Sequence, residues 1–419
     1  MSRRLSAVLL ASLLTLPALA ATRITFDIHG APTAIEWAAA AFPLRYDVDP
    51  RVNQLHPNAR AMVDRAFAAW STLPEANIRF EARGIAATSH GQGINVNVAD
   101  QLLSGQGAMA ITTYSYDEST GNMVDADISV DPSLFNGSVN AQAALEHEVG
   151  HTLGLDHSAV ISSVMYPYVG PNGVPAELDI DDRIGISTIY PKSDPTLRGA
   201  TLQGRVSGAD GGIFAAQVVA VNEQGQPVAT TLTNAAGEFT LLTVPAGRYR
   251  LYAEPLDGPV VVESMQGTWR QAAPLKPFAT EFYEGNLDVQ NGQVYGNLVV
   301  NTGGGALLNP RVIGSNAAAS NSVSLTTTPV VVKPGDSIKL TIGGDGFVAG
   351  KTQFEVLNPA FQRTSDFEYW GGAVSATYNV AADAATASSV IVVRNGADTA
   401  ALTGALKVHR PAKTRAARR

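Results

Sequence analysis

The chain has no cysteine in 419 residues. No disulfide can staple it and no thiolate can bind a metal, so any metal site must draw on histidine, aspartate or glutamate. Histidine itself is scarce, at seven residues. Charge is sparse too: 16% of residues are charged, with a net balance of −8. That balance argues against nucleic acid as the main partner. Aromatics make up 7%, whereas Gly (39) and Pro (23) are frequent. Such a mixture fits ordered, turn-rich β modules and not a disordered chain. The length exceeds one ordinary core and implies two to four domains.

Beyond the first twenty residues no stretch is apolar enough to span a bilayer. Those twenty read MSRRLSAVLLASLLTLPALA. Arg3 and Arg4 precede an apolar run from Leu5 to Leu16, and Ala18-Leu19-Ala20 has the small-residue pattern of a cleavage site. The expectation is a signal peptide over 1–20 and a secreted, extracellular chain. A periplasmic or cell-surface location is the alternative, and the paired arginines also fit a twin-arginine signal.

Residues 21–36 form a short lead-in. FPLRYDVDP (42–50), NIRFEARG (77–84) and GINVNVAD (93–100) alternate as strands, and 107–131 reads as two strands around a Thr-Gly-Asn turn. NARAMVDRAFAAWSTLP (58–74) carries Met62, Val63, Ala66, Phe67 and Trp70 at helical spacing. Residues 141–154 predict a second helix ended by Gly154, and 179–191 a third capped by Asp179. Helices and strands therefore mix up to about residue 192, an α+β pattern. From 199 onward, short alternating runs split by Gly, Pro and Asn predict two β-sandwiches, over 199–320 and 321–408. A basic, disordered tail is expected over 409–419.

Three of the seven histidines fall within HEVGHTLGLDHS, residues 147–158. On a helix, His147 and His151 are four apart and share a face. Gly154 then lets the chain turn so that His157 returns as a third ligand. Three imidazoles and no cysteine leave the fourth position of a zinc ion open, the mark of a catalytic site. Glu148, beside the first histidine, suits a base that takes a proton from activated water. A surface helix with incidental histidines would explain the shorter H-E-x-x-H pattern, but the complete string is far rarer by chance.

The complete string, followed by SSVMYPY at 162–168, resembles the metzincin metallopeptidases. Ser158 after the third histidine, LGLDHS…VMYP and the closing DDRIGISTIYP resemble the matrixin family in particular. Pro167 stands where astacins and serralysins place a tyrosine, which sets those two families apart. The resemblance covers about residues 37–192. It implies a catalytic domain with a twisted mixed sheet and three helices. It also implies zinc on His147, His151 and His157, Glu148 as general base and proton shuttle, and Met165 as a hydrophobic floor beneath the metal. GAMAITTY (107–114) resembles the strand that lines the cleft and pairs with a peptide substrate. Residues 158–169 would wall the pocket for the residue after the scissile bond, with Val169 where the family often has tyrosine.

Residues 204–258 resemble carboxypeptidase-regulatory-like domains, and 326–408 an immunoglobulin-like domain. Either could bind a glycan or a protein. The function these readings imply is a secreted zinc endopeptidase acting on protein or peptide substrates, with no membrane span and as a monomer. The alternative is a secreted adhesin or binding protein with a vestigial peptidase domain. Asp125, Asp127 and Asp131 could hold calcium, although a solvated strand face explains the same spacing. His90 could serve a second metal, and an ordinary loop residue explains it equally. His29 and His56 read as surface residues. With no cysteine present to hold the enzyme latent, either it is active once folded or Asp27, His29 or Glu36 caps the metal from the lead-in segment.

Overall fold

The computed structural model describes residues 22–84, 93–103, 105, 107–172, 174–194, 199–270, 277–303, 307–318 and 322–410. The leader, His90 and the end of the basic tail lie outside the described residues.

The N-terminal body is built on one sheet, in the order β4-β3-β5-β7-β6. Its strands are β3 (Leu44–Val48), β4 (Phe80–Gly84), β5 (Gly93–Val98), β6 (Ala110–Tyr116) and β7 (Met123–Val130). The β3–β4, β3–β5 and β5–β7 pairs are parallel; β6 runs antiparallel to β7 and forms an edge. Before them, a hairpin of β1 (Thr25–Ile28) and β2 (Ala31–Ala34) uses the lead-in segment. The three expected helices are present as α2 (Ala59–Ser71), α3 (Ala141–Thr152) and α4 (Ile180–Ile189), after a single turn, α1 (Val52–Leu55).

Each helix follows from its residues. Val63, Ala66, Phe67 and Trp70 put the apolar stripe of α2 into the core. Phe67 stacks on Tyr46 with ring centroids 4.0 Å apart, and the Trp70 indole donates to the Glu146 carbonyl at 2.9 Å. Helix α3 is started by Asn140, whose side chain accepts from Ala143 N, and nearly all its residues are buried. Gly154, at φ +90°, carries the chain out of it. Any side chain there would meet the Ile35 carbonyl, since a Cβ would lie 2.3 Å from that oxygen. A capping box of Asp179 and Asp182 opens α4.

Two pairs of sheets follow. In the first pair, β10 (Gln217–Asn222), β11 (Pro227–Leu232), β13 (Gly247–Glu254), β14 (Glu281–Phe282) and β15 (Leu287–Val289) form one sheet. The other is β8 (Ala200–Gly208), β9 (Gly211–Gly212), β12 (Glu238–Val244) and β16 (Val294–Asn301). Leu202, Val218, Phe239, Leu241 and Leu251 belong to one buried cluster with Leu298. In the second pair, β17 (Asn309–Ala317), β19 (Ser337–Asp345), β21 (Phe361–Arg363), β22 (Glu368–Trp370) and β23 (Ala373–Val380) form one sheet. It is matched by β18 (Val330–Val332), β20 (Gln353–Val356), β24 (Ala387–Asn395) and β25 (Asp398–Val408).

One expected boundary is corrected. Residues 309–317 were assigned to the module ending at 320, but β17 pairs along its length with β19 of the following module. A short alternating run reads the same in either sheet, so the sequence alone does not assign it.

The N-terminal body packs against both modules. Ile161 N donates to Thr403 O at 2.8 Å, and the Tyr166 hydroxyl to Thr327 O at 2.8 Å. On α4, Asp181 accepts from Thr230 and Asp179 from Ser388. After β13 the chain returns to the N-terminal body through residues 259–270, ending in a single turn, α5 (Gly267–Arg270). Val262, Met265 and Trp269 are buried in a cluster shared by Ile161, Tyr166 and the second pair of sheets, and the Trp269 indole donates to Arg23 O.

Candidate metal centre

Helix α3 places His147 and His151 one turn apart, and the reversal at Gly154 brings back His157. One nitrogen from each of the three rings lies within 4.8 Å of the others. Among the described residues they are the one such group of three or more His, Asp or Glu side chains.

Each ring is held through Nδ1 by a backbone carbonyl. His147 faces Val164 O at 2.7 Å, His151 faces Leu155 O at 2.8 Å, and His157 faces Ser264 O. A carbonyl only accepts, so each Nδ1 carries the hydrogen and each Nε2 presents a lone pair. The Nε2 atoms of His147 and His151 lie 3.0 Å apart with no proton between them. Two lone pairs that close repel unless a cation lies between them, so the donor set fits zinc. Burial pushes His147 and His157 down to about 4; it also pushes His151 well below the usual histidine range, helped by the two neighbouring rings. All three are thus neutral near pH 7, the form that binds a metal.

Glu148 is buried beside them. Burial pushes its carboxyl up to about 7, while the Thr112 hydroxyl on β6 opposes the rise by donating to its Oε2 at 2.5 Å. Met165 is buried below the site; a Cβ on Gly150 would lie 2.3 Å from its sulfur, so helix and turn are in close contact. The turn is anchored by Met165 N donating to Ser163 and Asp182.

A cleft of about 760 Å³ opens onto the histidines. Residues 107–112 form one wall and Pro167, Tyr168 and Val169 another. A third comes from the segment between β13 and β14 of the first module: Glu263, Ser264, Met265, Gln266 and Arg270. Asp156 accepts from His157 N and from Gln266 N, which ties that wall to the loop carrying the third histidine.

Residues 36–191 match the family model for matrixin. They form a matrixin-type domain. Residues 201–275 match the carboxypeptidase regulatory-like domain. Metalloendoproteinase 2-MMP of Arabidopsis thaliana is 27% identical over 186 residues, 41% of this chain and 46% of that protein. Matrix metalloproteinase-2 of Drosophila melanogaster is 31% identical over 160 residues, 35% of this chain and 20% of that protein. Matrix metalloproteinase-25 of Mus musculus is 26% identical over 187 residues, 39% and 28%. The chain spans less than half the length of these curated relatives. Matrixins depend on zinc, and the histidine triad of this matrixin-type domain is in place.

Other sequence candidates fare differently. Asp125, Asp127 and Asp131 do not converge on a cation site. Strand β7 ends at Val130, and Asp131 instead caps a helical turn at 132–136, accepting from Ser133 N. Asp127 accepts from Asn95 at 2.8 Å. None of Asp27, His29 and Glu36 lines the matrixin cleft: Glu36 pairs with Arg23, Asp27 accepts from Gly30 N, and His29 sits exposed in the β1–β2 turn. His56 is half-buried and stacks on Phe135. Sequence reasoning missed Thr112, Asp156, Ser264 and Gln266. The last two lie more than a hundred residues beyond the motif and carry no local signal.

Proposed function

We propose that the chain is an exported zinc-dependent endopeptidase acting on proteins or peptides. In this reading His147, His151 and His157 hold the zinc, and Glu148 is the general base. The observation that carries it is the three Nδ1–H groups tied to Val164 O, Leu155 O and Ser264 O, which leave three Nε2 lone pairs converging.

Zinc, when bound, supplies Lewis acidity toward the scissile carbonyl and makes water nucleophilic near neutral pH. The protein does the rest. The backbone of β6 pairs with an extended substrate as an added strand. Pro167, Tyr168 and Val169 wall the pocket for the residue after the scissile bond. Thr112 holds the Glu148 carboxylate by one oxygen, so the carboxylate can take a proton from the attacking water and deliver it to the leaving amine. Met165 keeps the floor apolar. No side chain is acylated.

Export rests on the leader-like residues 1–20. Among the described residues no helix is long and apolar enough to cross a membrane. The β modules are proposed as binding or spacing units for a glycan or protein ligand. Hydrolysis of a quenched-peptide library, with and without a zinc chelator, tests the reading. Chelation should abolish cleavage and added zinc restore it. Zinc-loaded protein that cuts nothing would favour the binding-protein alternative.

A further inference from the structure

The wall contributed by residues 263–266 does more than line the cleft. The backbone of Gln266 donates to both oxygens of Asp156, a buried carboxylate in the loop that carries His157, at 3.1 and 3.0 Å. Its side-chain Oε1 accepts from the Tyr114 hydroxyl at 2.9 Å, on edge strand β6. The amide end lies 3.3 Å from His151 Nδ1. One residue from a different module, itself lining the cleft, therefore ties edge strand β6 to the loop that carries His157.

The position of this strap relative to the substrate follows from the histidines. His147 is tied to Val164, on the side of the 167–169 wall, and His157 is tied to Ser264 in the strap. The strap stands across the triad from the wall that receives the residue after the scissile bond. It is therefore on the side taken by residues before that bond. Along β6, Glu148 is bonded to Thr112, which marks the reacting position, and the bridge is at Tyr114. Those positions are two residues apart, roughly 7 Å at the rise of an extended strand. A paired peptide meets the bridge after about two residues.

The strap is firmly seated. Met265 and Trp269 are buried, and Gly267 packs so closely on β1 that a Cβ would lie 2.1 Å from Thr25 O. The residues lining the open cleft on β6 stop at Thr112.

We propose that Gln266, bridged to Tyr114 and Asp156, closes the cleft on the N-terminal side of the scissile bond and restricts cleavage to sites within about two residues of a substrate's N-terminus. This rests on the zinc-peptidase part of the reading above, narrows its endopeptidase part to bonds near a substrate's N-terminus, and makes Gln266 a specificity-determining residue.

The test uses the full-length, zinc-loaded chain and quenched peptides sharing one cleavable sequence, with one, two, four or six residues before the scissile bond. The wild type should favour the two short peptides by at least about tenfold in kcat/KM. Gln266→Ala and Tyr114→Phe should narrow that gap. Binding of the same peptides, labelled at the C-terminus, to zinc-loaded Glu148→Ala gives a readout free of turnover, with the same preference expected. Equal cleavage of all four lengths would overturn the strap and leave the peptidase reading intact. Equal cleavage only after nicking within 259–270 would support it, since the preference would then be lost with the intact strap. No cleavage of any length would overturn the peptidase reading; the binding arm would still decide the strap, equal affinities counting against it.

Discussion

The Thr112 hydroxyl on β6 reaches across to Glu148 on α3 and donates to its carboxylate at 2.5 Å. Strand β6, proposed to pair with substrate, and the proposed base are thereby locked together. A hydrogen bond to a charged group contributes about 1.5–3 kcal/mol. Thr112→Val should lower kcat by roughly tenfold or more, with zinc content unchanged, whereas Thr112→Ser should recover most of the rate. Steady-state kinetics beside metal analysis checks this. An unchanged kcat in the valine variant would remove Thr112 from the machinery.

Gly154 is where helix and loop separate. With φ at +90° and the Ile35 carbonyl in the way, Gly154→Ala forces the backbone to move. Strain of this kind costs about 1–3 kcal/mol. The variant should melt lower and lose zinc to a competing chelator more readily, because His157 is displaced. A melting temperature and zinc affinity equal to wild type would contradict that role.

Away from the metal, Glu254 is buried between the two β modules, where Gln217 and Thr403 donate to it at 2.7 and 2.6 Å. Burial pushes its carboxyl up to about 8 in spite of those bonds. The folded chain therefore holds a proton that the unfolded chain has already released between about pH 4.5 and 8. In that window the unfolded state binds fewer protons, so Glu254 makes stability fall as pH rises. Glu254→Gln should flatten the decline, as read from denaturant midpoints across the range. An identical slope in the variant would contradict the assignment.

How much of this was legible in the sequence depended on how local each signal was. His147, Glu148, His151 and His157 sit within eleven residues, so helical spacing and one glycine suffice to bring the rings together. The helices α2, α3 and α4 announced themselves through apolar spacing, through Gly154 at the end of α3 and through the cap Asp179 of α4. Strand β17 was misplaced because alternation gives a strand without its partner. Asp131 looked like one of a row of carboxylates, but Pro132 begins a helical turn that needs it as a cap. Ser264 and Gln266 were invisible because their role arises only when the first β module folds back onto the N-terminal body, and no periodicity records such a contact.

The most direct measurement of the central claim is metal content paired with peptide hydrolysis on purified full-length protein. About one zinc per chain is expected, lost together with activity in His157→Ala and kept without activity in Glu148→Ala. Folded, metal-free protein that hydrolyses peptides at the full rate would contradict the account.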